Sequence, residues 1–442
     1  VLGLIVFLLY WFCVLNNDNK GSLFFLFLQC TSIFQLVPVE YINLPPVITK
    51  PYDWLCISLI INILISSRNL RLFKVWNKAT VCFILFICLL LLYSLLILNH
   101  ETKVSLSVFR LYLFFLLPIL FIRYTINELQ DALTVLSNFT VFACLIYIIQ
   151  AFAGVPLLSS FQSDSVASNI GVSGIRRFYN MPFYTVFVVL VYFKFLVDKM
   201  KLKHLAAFVV TFSAVLLSFN RNTLIVALMS CLFIFFYKRR FSISHFVIGC
   251  VIAIAVFGSI SFFSNERMEQ GFDDITSIVG SSSFSNIRDV SVNEVSTTEF
   301  RLLHFYERFI FLLNSGVTET LLGIGLVSNQ SAIVNNLSFN IGLQNDFKEV
   351  SQIDTGDIIW SVLILQVGII GVLLFVSLVF QYIYFFLLNK EISIAFISGM
   401  FLLSLFISSF FSIEILFVPN IALYSMLYVY VKKLKLSNRK LN

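Results

Sequence analysis

Apolar runs follow one another from Leu2 to Val431, broken by short charged clusters and by a single long polar stretch. A run of about 20 apolar residues is long enough to cross hydrocarbon as a helix. About thirteen runs come near that length: 1–15, 22–38, 53–66, 79–98, 104–122, 132–152, 182–197, 204–219, 222–237, 243–263, 357–388, 391–411 and 414–431. They do not alternate apolar and polar residues, which a transmembrane β-barrel requires. Only 12% of the residues are charged, against about a quarter in soluble domains. The expected fold is an all-α, polytopic membrane protein of about 12–13 transmembrane helices.

The polar interruption divides the chain. Residues 1–263 carry about ten helices, 264–356 form one large external loop, 357–431 carry about three more helices, and 432–442 form a basic cytoplasmic tail. Within the loop, Ser281–Ser285 reads as irregular chain and Thr298–Asn314 as a helix. Phe300, Leu303, His304, Glu307 and Phe311 share one face of that helix, and this face is suited to lie along the membrane surface. Gly323-Ile324-Gly325 reads as a tight turn ending the loop helix; it lacks the Lys-Ser/Thr of a phosphate-binding loop.

Cytoplasmic loops are enriched in Lys and Arg. Arg68, Arg71, Lys74 and Lys78 form one cluster, and Lys199, Lys201 and Lys203 a second. Lys238, Arg239 and Arg240 form a third, and Lys432, Lys433, Lys435, Arg439 and Lys440 a fourth. All four fall on one side if each run crosses once. That side is then cytoplasmic, which puts the first residue and the long loop outside. The net charge of +7 is thus a topology signal, and nucleic acid is not an expected partner. No cleavable signal peptide is expected at Val1. The eight Cys form no CxxC pair and the loop has none, so no disulfide framework is expected. Four scattered His give no basis for a metal site.

Arginine outside goes against this bias. Arg176, Arg177, Arg221 and Arg301 are all placed there. A guanidinium matches phosphate through paired, charge-assisted hydrogen bonds. Phospholipid headgroups and neighbouring carboxylates are the alternative partners. Arg110 lies about two turns below the outer surface and needs a partner, a wet cavity or a path outward. Lys194, near the cytoplasmic end of its run, is expected to reach outward to water.

Asp354 and Asp357 stand one turn apart before the helix that starts near Ile358. Asp357 abuts the helix and suits an N-cap. Asp354 suits a general base taking a proton from a sugar hydroxyl. Glu299 and Glu414 are weaker candidates for the same role, and Glu299 could instead pair with Arg301.

Four stretches, in order, resemble a known family. Gly174-Ile175-Arg176-Arg177-Phe178 is similar to its Arg-bearing external loop. Ser218-Phe219-Asn220-Arg221-Asn222-Thr223-Leu224 resembles its small/polar-Arg motif. Arg301 with Leu322-Gly323-Ile324-Gly325 resembles its second motif. Trp360 with Gln366-Val367-Gly368-Ile369-Ile370-Gly371 resembles its third. The family is the O-antigen polymerase and ligase superfamily, and the likeness spans about Gly154 to Leu374. It implies a membrane-embedded glycosyltransferase of the GT-C kind. Its substrate is an undecaprenyl-diphosphate-linked oligosaccharide, met at the outer face of the bacterial inner membrane. Membrane lipid, a chain-length regulator and a flippase are the candidate partners. No cofactor and no metal is required on this view, because fixed arginines take the part of a divalent cation. Ligases of the superfamily carry a His shortly before the third-motif helix; here the stretch is Asp354-Thr355-Gly356-Asp357, which favours the polymerase. A ligase and a lipid-linked-sugar transporter are the alternatives.

The orientation is testable by cysteine labelling in intact cells after the native Cys are removed. Position 283 should react with an impermeant thiol reagent and position 239 should not; reaction at 239 would reverse the topology.

Overall fold

A computed structural model describes residues 2–43, 50, 52–66, 75–159, 167–172, 175–237, 297–342, 350–353 and 358–441. The tenth apolar run (243–263), Ser281–Ser285 and the cluster at Lys238–Arg240 lie outside the described residues.

The described chain is almost wholly helical. In order come α1 (Leu2–Leu15), α2 (Asn19–Cys30), α3 (Val39–Ile42), α4 (Asp53–Ser66), α5 (Lys78–Leu96), α6 (Thr102–Leu113), α7 (Pro118–Phe121) and α8 (Ile126–Ala153). Next are α9 (Thr185–Asp198), α10 (Leu202–Leu217) and α11 (Arg221–Tyr237). The loop region holds α12 (Thr297–Ser315) and α13 (Val317–Leu322), and the chain closes with α14 (Ile359–Leu388), α15 (Ser393–Ser408) and α16 (Val418–Leu441). Among the described residues, four stretches are fit by length and composition to cross a membrane: Lys78–Leu96, Thr102–Phe121, Ile126–Ala153 and Ile359–Leu388. The chain is therefore read as a helical membrane protein.

Local chemistry sets several helix starts. Asp18, Asn77 and Thr125 each accept a backbone N–H of the first turn, and Thr125 with Glu128 forms a reciprocal capping box. The long α8 ends where Gly154 takes φ +69°, a left-handed turn that suits glycine.

Contacts between helix ends fall into two groups. At one end, Lys20 bonds Asp131 at 2.8 Å, Asn19 bonds Glu128 at 3.0 Å and Arg123 donates to Ser22. Lys433 reaches the carbonyls of Ile122 and Tyr124, and Lys432 that of Val75. At the other end, Gln35 donates to the carbonyls of Ser159 and Asn180, Arg110 meets Asp53, and His100 bonds the Ile324 carbonyl. Each contact joins segments that the alternating reading puts on the same side.

The loop is anchored into the bundle at a broken helix. Gly368, inside α14, has φ +61° and ψ −171°, which interrupts the helical hydrogen-bond ladder. The strand-like segment after α13 fills the break. Ile324 N–H donates to the Leu365 carbonyl at 2.7 Å, and Gln366 Nε2 donates to the Val327 carbonyl at 2.7 Å. Tyr112 donates to Gln366 Oε1, and Ser94 accepts the Leu326 N–H. Gly323, at φ +76°, makes the expected turn, but it ends the short α13; the loop helix α12 stops earlier, at Ser315.

Several expectations change. Residues 154–181 are not simple loop: Ala167–Val172 (β1) pairs antiparallel with Ile175–Phe178 (β2), a small hairpin on an otherwise helical chain. Residues 432–441 are no loose tail but continue α16. The second run bends at Ser32–Gln35, where four consecutive residues take positive φ. Lys194 does not reach out to water; it is buried and pairs with Asp198 at 2.6 Å, one turn on. The loop helix forms as predicted, but Leu303, His304, Arg308 and Leu312 are buried against α14 and the 339–353 segment. Protein, not lipid, covers that face.

At Gly368, an added Cβ would stand 2.4 Å from the Leu321 carbonyl oxygen. Gly368→Ala should cost about 3 kcal/mol, from backbone strain and this clash together. Gly399→Ala, whose nearest new contact is 3.1 Å from a flexible Leu387 side chain, should cost much less. Unfolding of both purified variants in detergent checks the difference.

Candidate functional site

The hairpin and the turn after α10 bring two arginine-bearing stretches together. On β2, Arg176 and Arg177 alternate in direction. Arg176 is exposed and donates from Nη1 to the Gly154 carbonyl at 3.2 Å. Arg177 donates from Nε to the Ser218 carbonyl at 3.2 Å and lies over the Tyr179 ring at 4.6 Å. Tyr147 on α8 fixes the strand by donating to the Phe178 carbonyl at 2.7 Å. Beyond Ser218, Phe219 turns the chain at φ +50°, and Asn220 Oδ1 accepts the N–H groups of Asn222 and Thr223. This cap starts α11 at Arg221, three residues from the carbonyl that holds Arg177.

Helix register carries Arg221 towards the C-terminal helices. Antiparallel α11 and α15 meet at Ser230–Ser404, 2.5 Å apart, and at the stacked rings of Tyr237 and Phe396, 4.3 Å between centroids. From Ser230 to Arg221 is nine residues, and nine residues beyond Ser404 is Ile413. Arg221 is thus level with the turn that joins α15 to α16. The same turn receives Arg301 of α12, whose guanidinium lies 5.5 Å from the centre of the Phe411 ring. Its neighbour Phe410 packs on Trp360 at 5.4 Å, at the head of α14. Arg301 and Trp360 therefore both meet residues 410–411, while Arg177 is bonded to the Ser218 turn that leads into Arg221.

This turn also carries Glu414, at the start of a short 3-10 segment, Glu414–Leu416, outside both helices. Its carbonyl accepts from Asn420 Nδ2 at 2.9 Å. The residue is only partly exposed, and the protein crowding its carboxyl pushes the pKa up to about 7. The sequence held a signal for it: Glu414 is the only charged residue between Ser393 and Val431.

The loop helix contributes a buried charged knot that sequence reading missed. Arg308 is fully buried. It donates to Glu307 at 3.0 Å and to the Gln352 carbonyl at 3.2 Å, and lies over the Phe339 ring at 4.4 Å. Burial lowers its pKa to about 10 despite Glu307. Glu307 accepts the N–H groups of Asn340 and Ile341, which ties the 339–341 backbone to α12. Beside it, His304 is buried. Burial first, and the Arg308 charge second, lower its pKa to about 3, so its imidazole is neutral. The Glu-Arg pair at 307–308 was visible in the sequence, but nothing there pointed to Gln352.

The remaining candidates separate. Arg110 meets a carboxylate: its Nη1 is 2.6 Å from Asp53 Oδ1, and its guanidinium lies over Tyr52 at 5.5 Å. Asp53 balances its charge, and it does not join the arginines near residues 409–416 in any described contact. Asp354 and Asp357 lie outside the described residues. The helix they precede has Ile358 at its cap position, one residue later than an Asp357 cap requires. Glu299 lies in the first turn of α12, and its side chain is outside the description.

No protein-family model matches the chain, and no curated protein matches its sequence. The superfamily likeness thus rests on the motifs of this chain alone.

The Arg110–Asp53 pair has a structural signature of its own. Asp53→Leu leaves a mostly buried guanidinium unpaired and should cost about 3–5 kcal/mol. The double variant Asp53→Leu/Arg110→Met should recover most of that loss. Chemical denaturation of the three purified proteins measures it; a double variant no better than the single one would show that the pair contributes something other than charge balance.

Proposed function

We propose that this protein is a glycosyltransferase that polymerises undecaprenyl-diphosphate-linked oligosaccharide repeat units. On this reading about 12–13 helices cross the bacterial inner membrane in a GT-C-like arrangement, and the reaction runs at the outer face. The observation that carries it is the joining of arginine-bearing stretches from separate motifs: Arg177 is bonded to the Ser218 turn that starts α11 at Arg221, and Arg301 lies on Phe411 beside the Phe410–Trp360 contact.

The chemistry follows from that cluster. A hydroxyl of one lipid-linked repeat unit attacks the anomeric carbon of another, and the undecaprenyl diphosphate departs with the bonding electron pair. Negative charge grows on the leaving diphosphate. Fixed guanidinium groups near the membrane surface stabilise it more in the transition state than in the ground state. Arg176 is held by a carbonyl oxygen, which orients its guanidinium without neutralising it.

Arg221 provides the test. Arg221→Lys keeps the charge and loses the planar fork that grips two phosphate oxygens at once. Polymer formation by the purified variant in proteoliposomes should fall about 10²-fold at normal protein level. Wild-type yield from this variant would remove Arg221 from the mechanism. The same assay separates the rival readings. Longer glycans on the lipid carrier mean a polymerase, transfer to a different acceptor means a ligase, and movement of substrate without reaction means a transporter.

A further inference from the structure

The sequence offers Asp354, Asp357, Glu299 and Glu414 as carboxylates for the acceptor proton, and of these Glu414 is the one whose side chain is described. The acceptor hydroxyl must lose this proton as its oxygen bonds to the anomeric carbon, so a carboxylate within hydrogen-bond reach of that oxygen is the group to look for. The 409–416 turn is the place where an arginine and a carboxylate share one short piece of chain. Arg301 lies on Phe411, and Glu414 is three residues on. Glu414 also stands out by its surroundings. The 39 residues from Ser393 to Val431 contain no other Asp, Glu, Lys, Arg or His. A lone ionisable side chain kept in so apolar a stretch is a functional candidate by default.

We propose that Glu414 is the general base of this glycosyl transfer, and the inference rests on the polymerase reading. The acceptor O–H bond breaks and its proton passes to a Glu414 carboxylate oxygen. The acceptor oxygen forms the new bond to the anomeric carbon, the bond from that carbon to the diphosphate oxygen breaks, and the leaving diphosphate keeps the electron pair. Glu414 then returns the proton to water. The groups facing it are few. The neighbouring α15 and α16 add no charge down to Val431, and the tyrosines of α16 begin ten residues on at Tyr424. Arg301 approaches the same turn from α12, across Phe411.

A base must be ionised to act, and burial has raised the pKa of this one to about 7. The rate should therefore rise about tenfold per pH unit below 7 and level off above about 8. The experiment uses the full chain in proteoliposomes with a lipid-linked repeat unit, from pH 5 to 9. Glu414→Gln keeps the shape of the side chain and removes the proton-accepting carboxylate. It should lose about 10²-fold or more and lose the inflection near pH 7. Polymerisation by Glu414→Gln within threefold of wild type overturns the inference alone. So does a wild-type rate that is flat between pH 5 and 8, which decides the matter even if the variant fails to insert. Absence of any polymer from the wild-type protein overturns the polymerase reading and this inference with it.

Discussion

The exchange of hydrogen bonds at the break in α14 holds the two halves of the molecule together. A helix interrupted inside an apolar bundle exposes backbone groups that must find partners, since hydrocarbon supplies none. Here they come from the polar insert: Ile324 N–H to the Leu365 carbonyl, and Gln366 to the Val327 carbonyl. Two glycines permit it. The backbones at Gly323 and Gly368 approach so closely that a side chain on either would collide with main-chain atoms of the other segment. The loop is therefore tied to the bundle by its own backbone. Through this tie α12 is placed, and with α12 the position of Arg301.

The way each arginine is held decides what it can offer. Arg110 is matched by Asp53 at 2.6 Å, and its field is largely cancelled at a distance. Arg176 is held by a carbonyl oxygen, which orients a guanidinium without neutralising it. Arg308 uses both kinds of partner and is fully buried, so its charge serves the loop itself. A residue type that looks uniform in sequence thus divides into a balanced pair, a structural rivet and a guanidinium oriented by a carbonyl.

What was legible in the sequence was what depends on neighbours in the chain. Apolar runs gave the helices, helical spacing gave α12, and the glycine pair gave the turn after α13. What escaped depends on partners far away along the chain. Asp53 and Arg110 lie on separate helices, so the partner that Arg110 needed could not be chosen from several carboxylates. Lys194 was misjudged although Asp198 stands one turn away, because chain-end reasoning weighed exposure above an ion pair within one helix. The hairpin at 167–178 carries too little apolar alternation to announce itself. Glu414 was visible as a lone charge in apolar sequence; that Arg301 meets the same turn needed the packing of α12 against Phe411.

The placement of α16 has a consequence for how the molecule is made. From Val418 to Val431 every residue of this helix is buried, and it touches α2, α7, α8, α14 and α15. Its next residues, Lys432 and Lys433, close over the carbonyls at Val75, Ile122 and Tyr124. Chains emerge N-terminus first, so α16 arrives after all the helices it packs against. The earlier helices must wait around a vacant slot, with their apolar inner faces covered by lipid or by one another. Insertion of α16 is then the step that turns a loose set of helices into a packed one, and quality control acting before that step would see an unfinished protein.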